Sequence, residues 1–365
     1  MFSNVYKNKK VLITGNTGFK GSWLTFWLRS LGADIIGVSK DIPTSPSLFE
    51  VTQLNDYISF FDKDIRNLDD VIELISKSQP DFIFHLAAQA IVSSSYENPI
   101  NTITSNVIGT VNILEALRIV NPKAKVVIIT SDKAYDNIEQ VWGYRENDIL
   151  GGKDVYSGSK GAAEILIKSY FNSFFKTENI NFRFAIARAG NVIGGGDWAK
   201  DRIVVDSITS WSEGKSVLIR SPNSTRPWQH VLEPLSGYLL LGMKLDLDYQ
   251  INGEAYNFGP RSEQNRTVLE LIKDLSKFWA EDFENDLFEV TESQNFHEAG
   301  LLKLNCDKAL HQLAWVPVMD YETTIQYTGE WYKKFYLGEN MVNFTNYQIQ
   351  SYEKLASKRS LIWTV

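Results

Sequence analysis

This sequence predicts an α/β fold, a doubly wound parallel sheet followed by a smaller C-terminal domain. Three observations carry that expectation. Short apolar, β-branched runs alternate with longer helical patterns through the first half, as expected of a parallel sheet covered by helices on both faces. A glycine-spaced turn joins the first such run to the first helical pattern. After residue 190 the texture changes to Gly- and Pro-bearing loops, "GNVIGGGDW", "SPNSTRPWQH" and "NFGPRSEQN", set between short elements.

In chain order, strands are expected at 10–14, 34–38, 58–61, 82–86, 125–130 and 182–188, with helices between them at 21–31, 69–77, 101–119 and 155–176. The expected division is a dinucleotide-binding domain over 1–188, with a segment near 228–250 returning to it. A mainly substrate-binding domain follows over 189–350, then a tail over 351–365 that reads as an amphipathic helix without chemistry. No internal repeat or low-complexity tract interrupts this order.

The bulk composition narrows the function. The chain has 365 residues, 44% of them hydrophobic and 22% charged, with a net charge of −7. That is an ordinary globular composition, and neither the net charge nor any Lys/Arg block favours nucleic acid. No apolar run approaches the roughly 18–20 residues that span a bilayer, so no membrane association is expected. The N-terminal "MFSNVYKNKKVLITG" has no apolar signal core, and one cysteine, Cys306, fits a reducing cytoplasm. The four histidines and single cysteine form no metal-ligand spacing, so no metal is expected.

In "VLITGNTGFKGSWLTFWLRSLG", Gly15, Gly18 and Gly21 follow a strand and open a helix, with Thr17, Phe19 and Lys20 between them. Glycines there permit the tight turn and let backbone N–H groups approach a pyrophosphate at the positive end of the helix. Asp41 lies about 20 residues further on, where an acid meets the adenosine ribose. A Rossmann-type domain holding NAD is the expectation, since Asp41 would repel the 2′-phosphate of NADP. Asp64 and Ile65 fall after the third strand, where the adenine would rest. Leu86, small Ala87 and Ala88, Gln89 and Asn106 are further expected cofactor neighbours, with Gln89 also in reach of the substrate. His85 reads as a satisfied strand-end histidine.

In "DVYSGSKGAAEIL", Tyr156 and Lys160 stand at i and i+4, on one helix face. An ammonium near a phenol favours the phenolate, so the expected pKa lies below the usual value near 10. Such a tyrosine can accept a proton from a sugar hydroxyl. The fifth strand, "VIITSDKAYDN", ends abruptly in Ser131, Asp132 and Lys133, at the carboxyl edge where parallel sheets bind ligands.

The Gly loop, "FIFHLAAQA", "TSDKAY", "YSGSK" and "RAGNVIGGGDW" occur in an order that resembles the extended short-chain dehydrogenase/reductases, and within them the nucleotide-sugar 4,6-dehydratases. "GFKGSWL", "PTSPSLFE", "GGGDWAKDRIV" and "RPWQHVLEPLSGYL" resemble the branch whose substrate is CDP-glucose. The resemblance implies C4 oxidation, loss of water across C5 and C6, and reduction at C6 in one site. It implies that Tyr156 takes the 4-hydroxyl proton with Lys160 beside it, Ser131 bonds the 4-oxygen, and Asp132 protonates the departing 6-hydroxyl. Most relatives carry Glu where Lys133 stands; Lys133 is expected to be the C5 base, the other reading being support of an enolate. Asn191, Arg202, Arg226, Trp228, His230 and Tyr256 are the implied substrate contacts. The loop after Gln89 departs from the family, with Ser93 and Ser94 in place of two arginines. A homodimer through the helices at 101–119 and 155–176, or a tetramer of such dimers, is also implied. The alternatives are a dehydratase for another nucleotide sugar, a 4-epimerase or reductase of the same fold, and a dinucleotide-sensing module without turnover. Asp132 argues against the epimerase and reductase, and the whole Ser131/Tyr156/Lys160 set against the sensor.

Overall fold

A computed structural model describes residues 1–177, 179–261, 263–280, 286–291 and 301–365. Its centre is a seven-stranded, all-parallel sheet in the order β11-β6-β5-β4-β1-β2-β3. The strands are β1 (Lys10–Thr14), β2 (Asp34–Ser39), β3 (Ser59–Asp62), β4 (Phe82–His85), β5 (Lys125–Ile129), β6 (Arg183–Ala189) and β11 (Ala255–Phe258). Among the described residues, three two-stranded sheets lie outside it. They pair β7 (Val192–Ile193) with β10 (Gln229–His230), β8 (Val217–Ile219) with β13 (Phe288–Val290), and β9 (Thr225–Pro227) with β12 (Asn265–Thr267).

The central strands β1, β4 and β5 are almost wholly buried, which is why their sequences are unbroken apolar runs rather than alternating ones. Helix Phe19–Ser30 is buried from Gly21 to Leu28. The Trp23 indole donates to Gly195 O at 2.8 Å and the Trp27 indole to Glu353 Oε1 at 2.8 Å, joining this helix to the later part of the chain. The strand order reverses between β1 and β4, so a crevice opens at their carboxyl ends.

The expected helix at 101–119 is a continuous helical run: α-helix Pro99–Ile103, a π-helical turn Thr104–Ile108, and α-helix Gly109–Val120. By length and composition alone Pro99–Val120 is apolar enough to cross a membrane, which corrects the reading that no run approaches that length. Its Ile113, Leu114, Ala116 and Leu117 are buried in the core with β4 and β5 residues. Helix Leu232–Leu247 packs on β5 and β6. Residues 351–365 are anchored rather than loose: Trp363 is fully buried and stacks on Phe2 at 5.0 Å and on Tyr352 at 5.8 Å.

Candidate active site

The glycine turn follows directly on β1. Gly15 has φ +73°, and a Cβ there would stand 2.7 Å from Ala87 N, so both conformation and space demand glycine. A Cβ on Gly21 would stand 2.0 Å from Gly15 O, which shows how closely the helix approaches the turn. Gly18 is the N-cap and supplies no side-chain acceptor, leaving the first-turn N–H groups at Phe19 to Gly21 for an anion. Thr17 Oγ1 donates to Asp41 O at 2.7 Å, tying the turn to the end of β2. The Asp41 carboxylate is 60% exposed, beside Lys40 at 3.6 Å. These features fit a dinucleotide diphosphate and ribose.

Around that cradle, Ile65 is buried and its carbonyl accepts from Asn112 Nδ2 at 2.9 Å. Asp64 pairs with Arg66. Ala87 N donates to Thr14 Oγ1 at 3.1 Å, while Leu86 and Ala88 line the same turn after β4. His85 lies within hydrogen-bond distance of Thr14 Oγ1 (2.8 Å) and Thr110 Oγ1 (3.1 Å), and burial followed by the Lys160 charge pushes it down to about 3. It is a neutral, satisfied side chain. Asn106 joins the loop after β4 to the next helix: its Oδ1 accepts from Gln89 N at 2.8 Å, and its Nδ2 donates to Gln89 O and to Ser159 Oγ. The Gln89 amide is spent on Ile91, donating to its carbonyl at 2.7 Å and accepting from its N–H at 3.0 Å. To reach the cofactor or the sugar as expected, the Gln89 amide would have to give up these bonds.

Ser131 to Lys133 form the polar turn past β5. Ser131 caps it, its Oγ accepting from Lys133 N at 3.2 Å and donating to Asp132 Oδ1 at 2.9 Å. Helix Val155–Tyr170 begins at Asp154, whose carboxylate accepts from Ser157 N at 2.9 Å and so fixes the first turn. Tyr156 and Lys160 are both buried, with the Lys160 Nζ 6.0 Å from the phenol ring centroid. Ser131 lies close enough to the Tyr156 hydroxyl to favour its phenolate. Burial, then the Asp132 charge, push the Tyr156 phenol up to about 12, with Ser131 and Arg202 opposing them. This reverses the expected lowering by Lys160, because loss of solvent outweighs a cation that is not in contact with the phenol oxygen.

Burial holds the Asp132 carboxyl above its ordinary range, against the nearby Lys133, Ser131 and Lys20. A carboxyl that holds its proton more tightly than an ordinary aspartate therefore sits beside the phenol. Lys160 and Lys20 are each pulled down to about 8, first by burial. Lys20 thus senses Asp132, Lys160 and Arg202 across the crevice.

On the far side, a Cβ on Gly190 would stand 3.0 Å from Asp132 Oδ2. A shallow cleft continues from Gly190 past Pro227, Gly259, Asn265 and Lys303, where the buried Asn265 Oδ1 lacks a hydrogen-bond partner. Asn191 is half-buried at the start of this side. The Arg202 guanidinium pairs with buried Asp197 and senses Tyr156. Arg226 and Trp228 are buried on either side of Pro227, the Arg226 guanidinium donating to Thr225 O at 2.8 Å.

Two of the expected substrate contacts lie in the packed interior. His230 is fully buried between Trp23 and Tyr327, with ring centroids at 5.8 and 5.5 Å, and burial pushes it down to about 3. Tyr256 is fully buried, its hydroxyl donating to Gln312 Oε1 at 2.7 Å under the Lys308 ammonium. Sequence reasoning passed over Asp154, Asp197, Glu164 and Arg188. The N-cap spacing of Asp154 before "VYSGSK" was the one signal available for them.

A family model described as GDP-mannose 4,6 dehydratase matches residues 12–328. CDP-glucose 4,6-dehydratase of Salmonella typhimurium is 44% identical over 353 residues, covering 96% of this chain and 97% of the relative. CDP-paratose 2-epimerase of Salmonella typhi is 27% identical, covering 88% and 98%. Among solved structures, UDP-glucose 4-epimerase of Thermotoga maritima superimposes with a TM-score of 0.76 at 23% identity, covering 89% of this chain and 99% of that one. A dTDP-glucose 4,6-dehydratase of Bacillus anthracis in complex with NAD gives 0.73 at 22%, covering 89% and 97%.

Proposed function

The chain belongs to the GDP-mannose 4,6-dehydratase family, and from that premise we propose that it is an NAD-dependent lyase converting CDP-D-glucose to CDP-4-dehydro-6-deoxy-D-glucose. The observation that carries the reading is Asp132, a buried carboxyl whose pKa burial raises, set beside the Tyr156 phenol. An epimerase or reductase needs no acid there, whereas loss of the 6-hydroxyl does. End-to-end identity of 44% to a CDP-glucose 4,6-dehydratase supports the cytidine-linked substrate.

NAD would lie on the Gly15–Gly21 cradle with its ribose at Asp41, and when bound it supplies a hydride acceptor at C4 and a donor at C6. Tyr156 accepts the 4-hydroxyl proton, with Ser131 orienting the phenol and Lys160 providing positive charge. Asp132 protonates the departing 6-hydroxyl. Lys133 removes the C5 proton from the adjacent turn position. Arg202, with Arg226, Trp228 and Asn191, faces the diphosphate and nucleoside, a guanidinium fork matching two phosphate oxygens. The expected site is cytoplasmic. A homodimer through Pro99–Val120 and Val155–Tyr170 accounts for the exposed Ile100, Ile103, Ile108 and Ile165 on those helices.

The test is to incubate the purified protein with CDP-, dTDP-, UDP- and GDP-linked hexoses and follow the alkali-induced absorbance of a 4-keto sugar. Turnover of the cytidine compound is expected. Turnover of every compound except that one overturns the substrate assignment.

A further inference from the structure

We infer that Glu164 and Arg188 are positioning residues for this reaction: their buried ion pair clamps the Ser131–Lys133 turn to the Tyr156/Lys160 helix and places a negative charge next to Lys160. The inference deepens the proposed function and rests on it.

The clamp has three arms. Arg188, on β6, donates through Nε to both Glu164 oxygens at 2.8 and 2.9 Å, and its NH2 meets the same carboxylate. Both side chains are nearly inaccessible, 4% and 1% exposed. Thr130, the residue before Ser131, donates its hydroxyl to Glu164 Oε1 at 2.6 Å. Tyr135, the residue after Ala134, accepts from Arg188 NH1 at 2.6 Å and donates to Asn257 Oδ1 at 2.8 Å. Asn257 is held in turn, its Nδ2 donating to Tyr144 O and Asn305 O. Both ends of the polar turn are therefore fastened to one carboxylate–guanidinium pair.

The helix is fastened at the same point. Tyr156, Lys160 and Glu164 recur at i, i+4 and i+8, so they share one face. At Gly161 the helix comes so near the turn that a Cβ would stand 2.9 Å from Gly151 O and 3.3 Å from Ala134 O. Neither body can slide past the other without breaking the Glu164 contacts. Ser131 and Tyr156 are thereby held in register.

The charge matters as well as the contacts. Lys160 faces Tyr156 and Glu164 from its own helix, Lys20 from the helix after the glycine turn, and the neutral His85 from β4. Burial and Lys20 lower its pKa to about 8, and Glu164 opposes both. Without that carboxylate the ammonium loses its charge at lower pH, where Tyr156 still needs it.

A plain core strut would cost stability when cut and leave pH behaviour alone. The test therefore uses the NAD-loaded protein carrying Glu164→Gln, Glu164→Asp, and the paired Glu164→Gln/Arg188→Met. The pair removes both charges together, a replacement that buried ion pairs commonly tolerate in folding. Two readings are taken: the titration of Lys160 by NMR of 13Cε-labelled lysine, assigned with Lys160→Met, and the pH profile of kcat with CDP-glucose. Both charge-removing variants should lower the Lys160 midpoint, and with it the alkaline limb of kcat, by about one pH unit, roughly tenfold in the charged fraction. Glu164→Asp should keep the midpoint near wild type and restore the limb. A folded double variant whose Lys160 midpoint and alkaline limb stay where the wild type has them overturns the inference. Wild-type protein that leaves CDP-glucose untouched sinks the proposed function instead, while the NMR arm still judges the role of Glu164.

Discussion

Alanine at position 21 tests the cofactor cradle through the backbone alone. The new Cβ would stand 2.0 Å from Gly15 O, 2.8 Å from Gly15 C and 2.9 Å from Asn16 Cα, all main-chain atoms that cannot rotate away. Restoring ordinary contact requires the helix to withdraw by roughly 1.5 Å from the turn. Trp23, Leu24, Trp27 and Leu28 hold it in a filled core, so the withdrawal is resisted. Overpacking of this kind costs about 1–3 kcal/mol. Carried into NAD affinity at 1.4 kcal/mol per decade, that is a roughly 5- to 150-fold loss. The assay is calorimetric titration of apoprotein with NAD, alongside its melting temperature, across three alanine variants. Gly21→Ala should lose both affinity and melting temperature. Gly15→Ala should lose more, because φ +73° adds strain to the 2.7 Å approach of Ala87 N. Gly18→Ala meets only Gly15 O at 3.5 Å, so it should keep its melting temperature and lose affinity alone, the space being needed only by the dinucleotide. Gly21→Ala with unchanged melting temperature and NAD affinity within about twofold of wild type would refute the reasoning, since that step is below 0.5 kcal/mol.

Three further outcomes are expected. Tyr156→Phe should retain NAD and lower turnover roughly 10²- to 10⁴-fold, the usual worth of a positioned acid or base; near wild-type kcat would show that another group takes the 4-hydroxyl proton. Lys133→Met should abolish solvent deuterium entry at C5, and undiminished exchange would remove Lys133 from the base role. Glu233 is buried, accepts from Val318 N and Met319 N, and is pushed by burial from 4.5 up to about 7. A folded pKa above the unfolded one means that folding takes up a proton. The carboxyl's contribution is then full below about pH 4.5 and is lost as pH rises to about 7, on the order of 3 kcal/mol at 1.36 kcal/mol per unit. Glu233→Gln should therefore flatten the melting temperature across that window and raise it near pH 8; an unchanged profile would contradict the assignment.

Six strands were legible because a parallel core strand must be apolar on both faces, and "KVLIT", "FIFH" and "KVVII" have no other reading once helices lie between them. The seventh, "AYNF", was not legible. Asn257 sits in its middle and reads as a turn residue until Tyr135, Tyr144 and Asn305 converge on its amide. Among the candidate residues, Tyr156 and Lys160 stood out by their i, i+4 spacing, and Ser131 and Asp132 by the abrupt polar end of a core strand. Their supports did not, since Glu164 and Arg188 stand 24 positions apart and only the fold joins them. The raised Tyr156 phenol was likewise invisible, because burial is a property of the assembled crevice rather than of a four-residue spacing. His230 and Tyr256 lie in strings that resemble the family's nucleotide segment. Neighbouring aromatics and Gln312 nevertheless claim their side chains.

The central claim is that one sugar carbon lends a hydride that another carbon of the same sugar receives. CDP-glucose carrying tritium at C4 tests it most directly. The account requires the label to reappear in the C6 methyl group of the product; its complete release into water would contradict the internal transfer on which the roles of Tyr156, Asp132 and Lys133 depend.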